Sequence, residues 1–253
     1  MRPLIRCRHL LNALIAPLLI GAAAAQTIPS FEARYQLTRN DLSAARVEVS
    51  LTRRDDGGYH YRQRTKTTGL VALWRDDRIT ETSRGRWLTG SPRPDHYHYQ
   101  RLGSKARRVT VDFDWTQNTA RINADTTTWS MTIPPNAVDK LSVNLALMAA
   151  MNRIRPAPDH ADPVTFAVAD GGKLKHYLFD AVGPEIVRTA RGQFNTVVVQ
   201  RRQAEHNPRR TQLWLAPRLH YLPVRIRHTE RDEGVFELRL ERYLAGDGDR
   251  NAR

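Results

Sequence analysis

From Phe31 onward the chain alternates between apolar and polar positions. Phe31, Ala33, Tyr35 and Leu37 are separated by polar residues, and after a break at Asn40-Asp41 the same period of two returns in Ala45, Val47, Val49 and Leu51. Such alternation puts one face of a strand inside and the other in water, so the pattern predicts a half-buried antiparallel pair. Asp55-Asp56-Gly57-Gly58 reads as a turn, after which Tyr59, Tyr61 and Gln63 resume the alternation. Thr68 to Trp74 is apolar without a period and fits either a buried strand or a short helical or loop segment under the sheet. Ile79 to Trp87 predicts a polar strand exposed on at least one side, and Pro92 and Pro94 predict an interruption after it.

The next hairpin is the most informative. Residues 95–102 turn through Gly103-Ser104-Lys105 into residues 106–115. A two-residue loop would set the tyrosines opposite Arg108 and Thr110. A three-residue loop sets Tyr97 beside Val111 and Tyr99 beside Val109, with residue 95 near Phe113. One face then becomes aromatic and β-branched, and the other carries His96, His98, Thr110, Asp112 and Asp114. Register follows the apolar match, so the three-residue loop is expected.

Alternation continues through Ala120, Ile122 and Ala124 and stops at Trp129, Met131 and two prolines. The period then changes. From Asp139 to Asn152, Leu141, Leu145 and Met148 recur at steps of three and four, Asp139 is placed as an N-cap, and Pro156 bounds the far end. Val143, Ala146, Leu147, Ala149 and Ala150 occupy most other directions, and a helix apolar nearly all round is a buried helix. Its length would be roughly 20 Å. Strand patterns resume at Val164, Phe166 and Val168, turn at Asp170-Gly171-Gly172, and continue on Leu174, His176, Leu178 or on Tyr177, Phe179. Further strands are expected at 182–187, 194–199, 211–216, 222–228 and 235–243. Roughly a dozen strands around one helix predict a mainly β chain: a large curved antiparallel sheet, as half-barrel, barrel or sandwich, with one principal helix on its inner face.

The first 25 residues change the picture of where this happens. Arg2, Arg6 and Arg8 precede an apolar run from Leu10 to Ile20 and the small residues Gly21 to Ala25, the pattern of a cleavable signal peptide. The expected organisation is a leader at 1–25, a single β domain at 26–245 and a disordered tail at 246–253, in a protein exported to the periplasm. Cleavage after Ala25 would remove three arginines and no acid, lowering the formal charge from +14 to +11. A field of that sign favours anionic partners, and export makes nucleic acid the wrong one. The fitting partners are lipid head groups or other anionic envelope ligands, with peripheral membrane contact. The sole cysteine, Cys7, lies in the leader, so the remaining chain has no thiol for a disulfide, nucleophile or metal site.

Several local patterns, Phe31-x-Ala-x-Tyr35, Val111-x-Phe-Asp-Trp115, Asp139-x-Leu-Ser142, Asp170-Gly171-Gly172, Gly192-x-Phe194, Trp214-x-Ala216 and Leu222-Pro-Val-Arg225, occur in order along the chain. Together they resemble the bacterial domain of unknown function 3108 family, exported proteins with an antiparallel sheet. The resemblance implies no established reaction and supplies no catalytic residues. At the level of fold it is also similar to carriers of lipoproteins between bacterial membranes, in which a half-barrel closes over an apolar cavity.

Candidate chemistry is sparse. Gly-x-Ser-x-Gly, His-Glu-x-x-His, the phosphate-binding Gly-x-x-x-x-Gly-Lys-Ser/Thr and the dinucleotide Gly-x-Gly-x-x-Gly are all missing, and no cofactor is implied. His96 and His98, with Asp112 and Asp114 on the neighbouring strand, are either a divalent-metal site of a hydrolase or an ordinary polar outer face. Tyr97, Tyr99, Phe113 and Trp115 on the sheet and Leu141, Leu145 and Met148 on the helix are either a β-domain core or the lining of a cavity for an apolar ligand. The expected function is non-enzymatic: holding an apolar or lipid-like envelope component. An envelope scaffold with a filled core and an exposed sheet edge is the alternative, and a metal-dependent hydrolase using His96 and His98 the third.

Overall fold

A computed structural model describes residues 28–68, 77–103, 105–154, 162–204, 207–231 and 233–246. The expected leader, the apolar stretch 69–74, the residues around Pro156 and the tail 247–253 lie outside the described residues. Gly246, the first residue of the expected tail, is tied down: its N–H donates to the Ser30 carbonyl at 2.7 Å.

Among the described residues fifteen strands form one sheet, and their order is close to a simple meander. The first half comprises β1 (Phe31–Arg39), β2 (Leu42–Arg53), β3 (Gly58–Thr67), β4 (Arg78–Leu88), β5 (Ser91–Leu102), β6 (Arg107–Asp114), β7 (Thr119–Ala124) and β8 (Thr127–Thr132). Next come the two-residue β9 (Val138–Asp139), helix α1 (Ser142–Ile154) and β10 (Val164–Asp170). The second half finishes with β11 (Lys173–Thr189), β12 (Gly192–Arg201), β13 (Arg210–Ala216), β14 (Leu222–Glu230) and β15 (Gly234–Ala245). Strand β1 pairs with both β2 and β15, which joins the halves, and β8 and β9 are the two free edges. Every neighbouring pair is antiparallel except β9 and β10. The sheet is single and not closed into a barrel, so of the three forms expected the half-barrel holds.

Tight turns account for the short connections. Asn40-Asp41 and Gly171-Gly172 both have positive φ at two successive residues, the conformation that matches the twist of a two-residue hairpin. The β5/β6 register is the three-residue one, with Tyr97 opposite Val111 and Tyr99 opposite Val109. Pro92 and Pro94 do not interrupt β5. They sit inside it, opposite Trp87 and Gly85, where a bulge leaves Asp95 unpaired. The bulge works because Gly85 has no side chain: a Cβ there would meet the Arg93 carbonyl oxygen at 2.1 Å and Pro94 Cα at 2.7 Å. Likewise, segments expected as separate strands at 174–179 and 182–187 are one 17-residue strand, β11, bent at a bulge beside Gly183.

Helix α1 begins at Ser142, three residues later than Asp139, yet Asp139 still caps it. Its Oδ1 accepts the backbone N–H groups of Leu141 at 2.8 Å and Ser142 at 2.7 Å. Leu141, just before the helix, and Leu145, Met148 and Ala149 pack into one hydrophobic cluster with Tyr59, Tyr61, Tyr97 and Phe113. Val143, Ala146, Leu147 and Met151 enter a second, with Tyr177, Phe179, Val199, Leu213 and Leu215. The helix is therefore enclosed from two sides by the same sheet.

Candidate functional site

The sheet almost meets itself where β8 comes close to the β10–β11 turn. Trp129 of β8 donates its indole N–H to the Gly172 carbonyl at 3.0 Å. Glycine is required there: its φ is +78°, and a Cβ would lie 2.2 Å from the Trp129 ring. Behind this contact runs a cleft of about 200 Å³. Tyr97 and Tyr99 of β5, Val109 and Val111 of β6, and Ile122 and Ala124 of β7 form its aromatic and aliphatic wall. Trp129 and residues 169–172 close the opposite side, and Arg107 and Lys140 bring cations to it.

The polar rim is partly neutralised. Lys140 Nζ lies 5.9 Å from the Tyr99 ring centroid, within reach of a cation–π contact. Arg107 has an exposed ion pair with Asp125 at 3.9 Å, worth little in solvent. Asp170 accepts from Lys175 Nζ and the Tyr177 hydroxyl, both at 2.7 Å. Burial alone would raise the Asp170 carboxyl, but those two hydrogen bonds and the charges of Lys175 and Lys140 hold it below its ordinary range. Asp170 is thus an occupied acceptor.

The sequence-derived set is brought together in one hydrophobic cluster, of which only the two tyrosines reach the cleft. Tyr97 and Tyr99 line the cleft. Phe113 and Trp115 stack with centroids 5.4 Å apart, and Trp115 donates its indole N–H to the Pro94 carbonyl at 2.9 Å, anchoring β6 to β5. Leu141, Leu145 and Met148 are at most 2% exposed and belong to the core beneath the helix. The His/Asp constellation is dispersed. His96 Nδ1 and Asp112 Oδ1 are 2.5 Å apart, but Asp114 accepts the backbone N–H groups of Thr116 and Gln117 and closes the β6–β7 turn. His98 lies opposite Thr110, and burial together with Arg108, His96 and Arg84 lowers its proton affinity. Among the described residues no group of three or more His, Cys, Asp or Glu side chains is placed to hold a metal ion.

One constellation was not visible in the sequence. The inward face of β4 carries Glu81, Ser83 and Gly85 instead of apolar residues, and all three are buried. Ser83 Oγ meets Asp139 Oδ2 at 2.5 Å and the Tyr59 hydroxyl at 2.9 Å, while Glu81 Oε2 accepts the Tyr97 hydroxyl at 2.6 Å. Asp139 is fully buried, and that burial pushes its carboxyl up to about 6 despite hydrogen bonds from Ser83, Ser142 and the Leu141 N–H. The sequence signal was Glu81, Ser83 and Gly85 at alternate positions where a strand facing the core calls for apolar residues. This network ties β3, β4 and β9 to the start of the helix and holds Lys140 at the cleft.

Comparison with known proteins bears on the fold. No match to a protein of curated function was found. A beta-barrel-like protein of domain of unknown function DUF1849 from Brucella abortus is similar over 87% of this chain and 99% of its own, with 10% identity and a TM-score of 0.58. At that identity the likeness concerns the fold. MucB, solved in complex with MucA(peri), aligns over 86% of this chain and 50% of its own, with 12% identity and a TM-score of only 0.34. The chain thus spans about half the length of that protein. The profile of the family described as "Protein of unknown function (DUF3108)" matches residues 30–241, from the first strand into the last, and the chain belongs to that family.

Proposed function

We propose that this chain is a non-enzymatic binding protein of the cell envelope that holds one slim apolar group of an anionic amphiphile in the seam cleft. The observation that carries the reading is the pairing of an apolar wall on β5–β7 with the cations Lys140 and Arg107. At about 200 Å³ the cleft is smaller than the roughly 300–1,000 Å³ of drug-sized pockets, so it suits a single chain and not a multiply acylated lipid. The basic start, apolar run and small residues of the first 25 positions support placing the protein outside the cytoplasm.

The test is calorimetric titration with straight-chain alkyl carboxylates of increasing length. Affinity should rise about fourfold per methylene, at about 0.8 kcal/mol each, until the cleft is full, then level off. Ala124→Phe, which fills the cleft, should abolish that rise, and Lys140→Gln should weaken all members alike. Affinity independent of chain length, or unchanged in Ala124→Phe, would refute the reading.

A second reading rests on the edge strand β8, Thr127-Thr128-Trp129-Ser130-Met131-Thr132. It has no charge and no proline, the guards that normally blunt an open edge. An extended segment of a partner protein could add there as a further strand. Ser130→Lys separates the two readings, because it guards the edge and leaves the cleft wall intact.

A further inference from the structure

The outer face of β15, β1, β2 and β3 holds a second concavity, larger than the seam cleft at about 350 Å³. Its lining includes Arg34, Arg62, Arg64 and Arg242 and only two acids, Glu32 and Glu48. The residues that alternate with these, such as Tyr35, Val47 and Tyr61, point into the core, so the arginines face outward from adjacent strands. Register makes the crowding explicit: Arg34 lies directly opposite Arg242 on one side and Glu48 on the other, and Glu48 lies opposite Arg64. Like charges directly across a ladder are destabilising. Arg34 and Glu48 form an ion pair at 3.2 Å. Among the described residues Arg62, Arg64 and Arg242 have no ion-pair partner within 4.0 Å, and Arg34 Nε is buried without an acceptor.

We propose that this concavity is a binding site for a phosphate group, held by Arg62, Arg64 and Arg242 around the Arg34–Glu48 pair. Scattered arginines on convex strand faces can splay into water; Arg34 of β1, Arg62 and Arg64 of β3 and Arg242 of β15 line one hollow, where each raises the cost of the others. A guanidinium fork matches an oxyanion in two-point fashion. A carboxylate offers two oxygens in one plane, whereas a phosphate offers three or four in different directions and can accept from Arg62 and Arg64 on β3 and Arg242 on β15 at once. The neighbouring His60 reports the same field, since burial and then Arg62, Arg84 and Arg54 lower its proton affinity. This site is on the opposite face of the sheet from the seam cleft and does not depend on it. The phosphate can be free or the terminal phosphomonoester of a lipid head group, and both present at least three unesterified oxygens.

The test uses the intact protein, titrated calorimetrically with inorganic phosphate and, separately, with monomeric dihexanoyl phosphatidic acid. The variant R62Q/R64Q/R242Q removes the site. The charge-matched variant R188Q/R191Q/R210Q removes three exposed arginines from the other half of the sheet. Binding of either probe that falls about tenfold or more in the first variant and less than about threefold in the second supports the site. Inorganic phosphate binding assigns it to the free anion, and binding of the lipid alone assigns it to a head group. Equal losses in the two variants, or no binding of either probe, would overturn it. The single variant R242Q, at an exposed position, gives a partial loss of about threefold and serves if the triple variant is unstable.

Discussion

Asp139 gives the sharpest test of how the helix is held in the sheet. Its carboxyl is fully buried with a pKa pushed up to about 6 from an ordinary 3.8. Between those values the folded state holds a proton that the unfolded chain has already lost. Stability from this group therefore falls as pH rises through that window, and at neutral pH the folded protein carries an ionised carboxylate at a net cost of about 3 kcal/mol. Asp139→Asn keeps an oxygen to accept the Leu141 and Ser142 N–H groups and offers Ser83 an amide in place of a charge. The variant should gain stability relative to the parent on going from about pH 4 to about pH 7.5, by about 2–3 kcal/mol. Urea unfolding followed by tryptophan fluorescence at several pH values measures it. Taking the difference between the two proteins cancels every other titrating group. Parallel pH profiles would show that the carboxyl does not titrate in this window and would refute the buried-network account.

Three further substitutions probe other parts of the sheet. Gly85→Ala drives a Cβ into the Arg93 and Pro94 backbone and should cost about 3 kcal/mol in urea unfolding. Tyr97→Phe removes the donor to buried Glu81 and should cost about 1–3 kcal/mol, read by thermal unfolding. Glu237 accepts from Arg225 Nη2 at 2.7 Å and from Arg239 Nε; burial alone would raise its carboxyl, but these hydrogen bonds hold it low. Glu237→Ala should therefore cost about 2–3 kcal/mol at pH 7 and progressively less in acid, as the parent carboxylate is protonated and loses the same interactions.

What was legible in the sequence is what period and turn chemistry control. The β5/β6 register followed from matching Tyr97 and Tyr99 to Val111 and Val109, because a slip of one residue would have sent every aromatic side chain to water. The helix was legible from its changed period, although Asp139 caps it from the preceding strand. Two prolines in β5 misled because proline forbids a ladder hydrogen bond, and only the backbone approach at Gly85 reveals a bulge that needs none there. The separate strands expected at 174–179 and 182–187 misled because a bent strand and two separate strands share a composition. The seam and the buried acid network were illegible because their contacts join residues far apart, 43 positions for Trp129 and Gly172 and 56 for Ser83 and Asp139. Alternation says which face a residue occupies and nothing about which distant strand it meets.

The position of the helix explains why the sheet stays open. A pure meander makes every neighbour antiparallel, and the one parallel contact, β9 with β10, occurs where the intervening chain leaves the sheet to form α1. Parallel neighbours need a long crossover, and a helix of 13 residues supplies it by passing through the interior. With the interior filled by α1, the two edges β8 and β9 do not pair, and a side-chain bond from Trp129 to Gly172 spans the gap that a ladder would have closed. The same crossover puts Lys140, the residue between the buried cap and the helix, at the cleft left along that gap. The opening and one of the charges at its rim are thus consequences of one chain reversal, and a change that loosened the Asp139 cap would displace that charge as well as the helix.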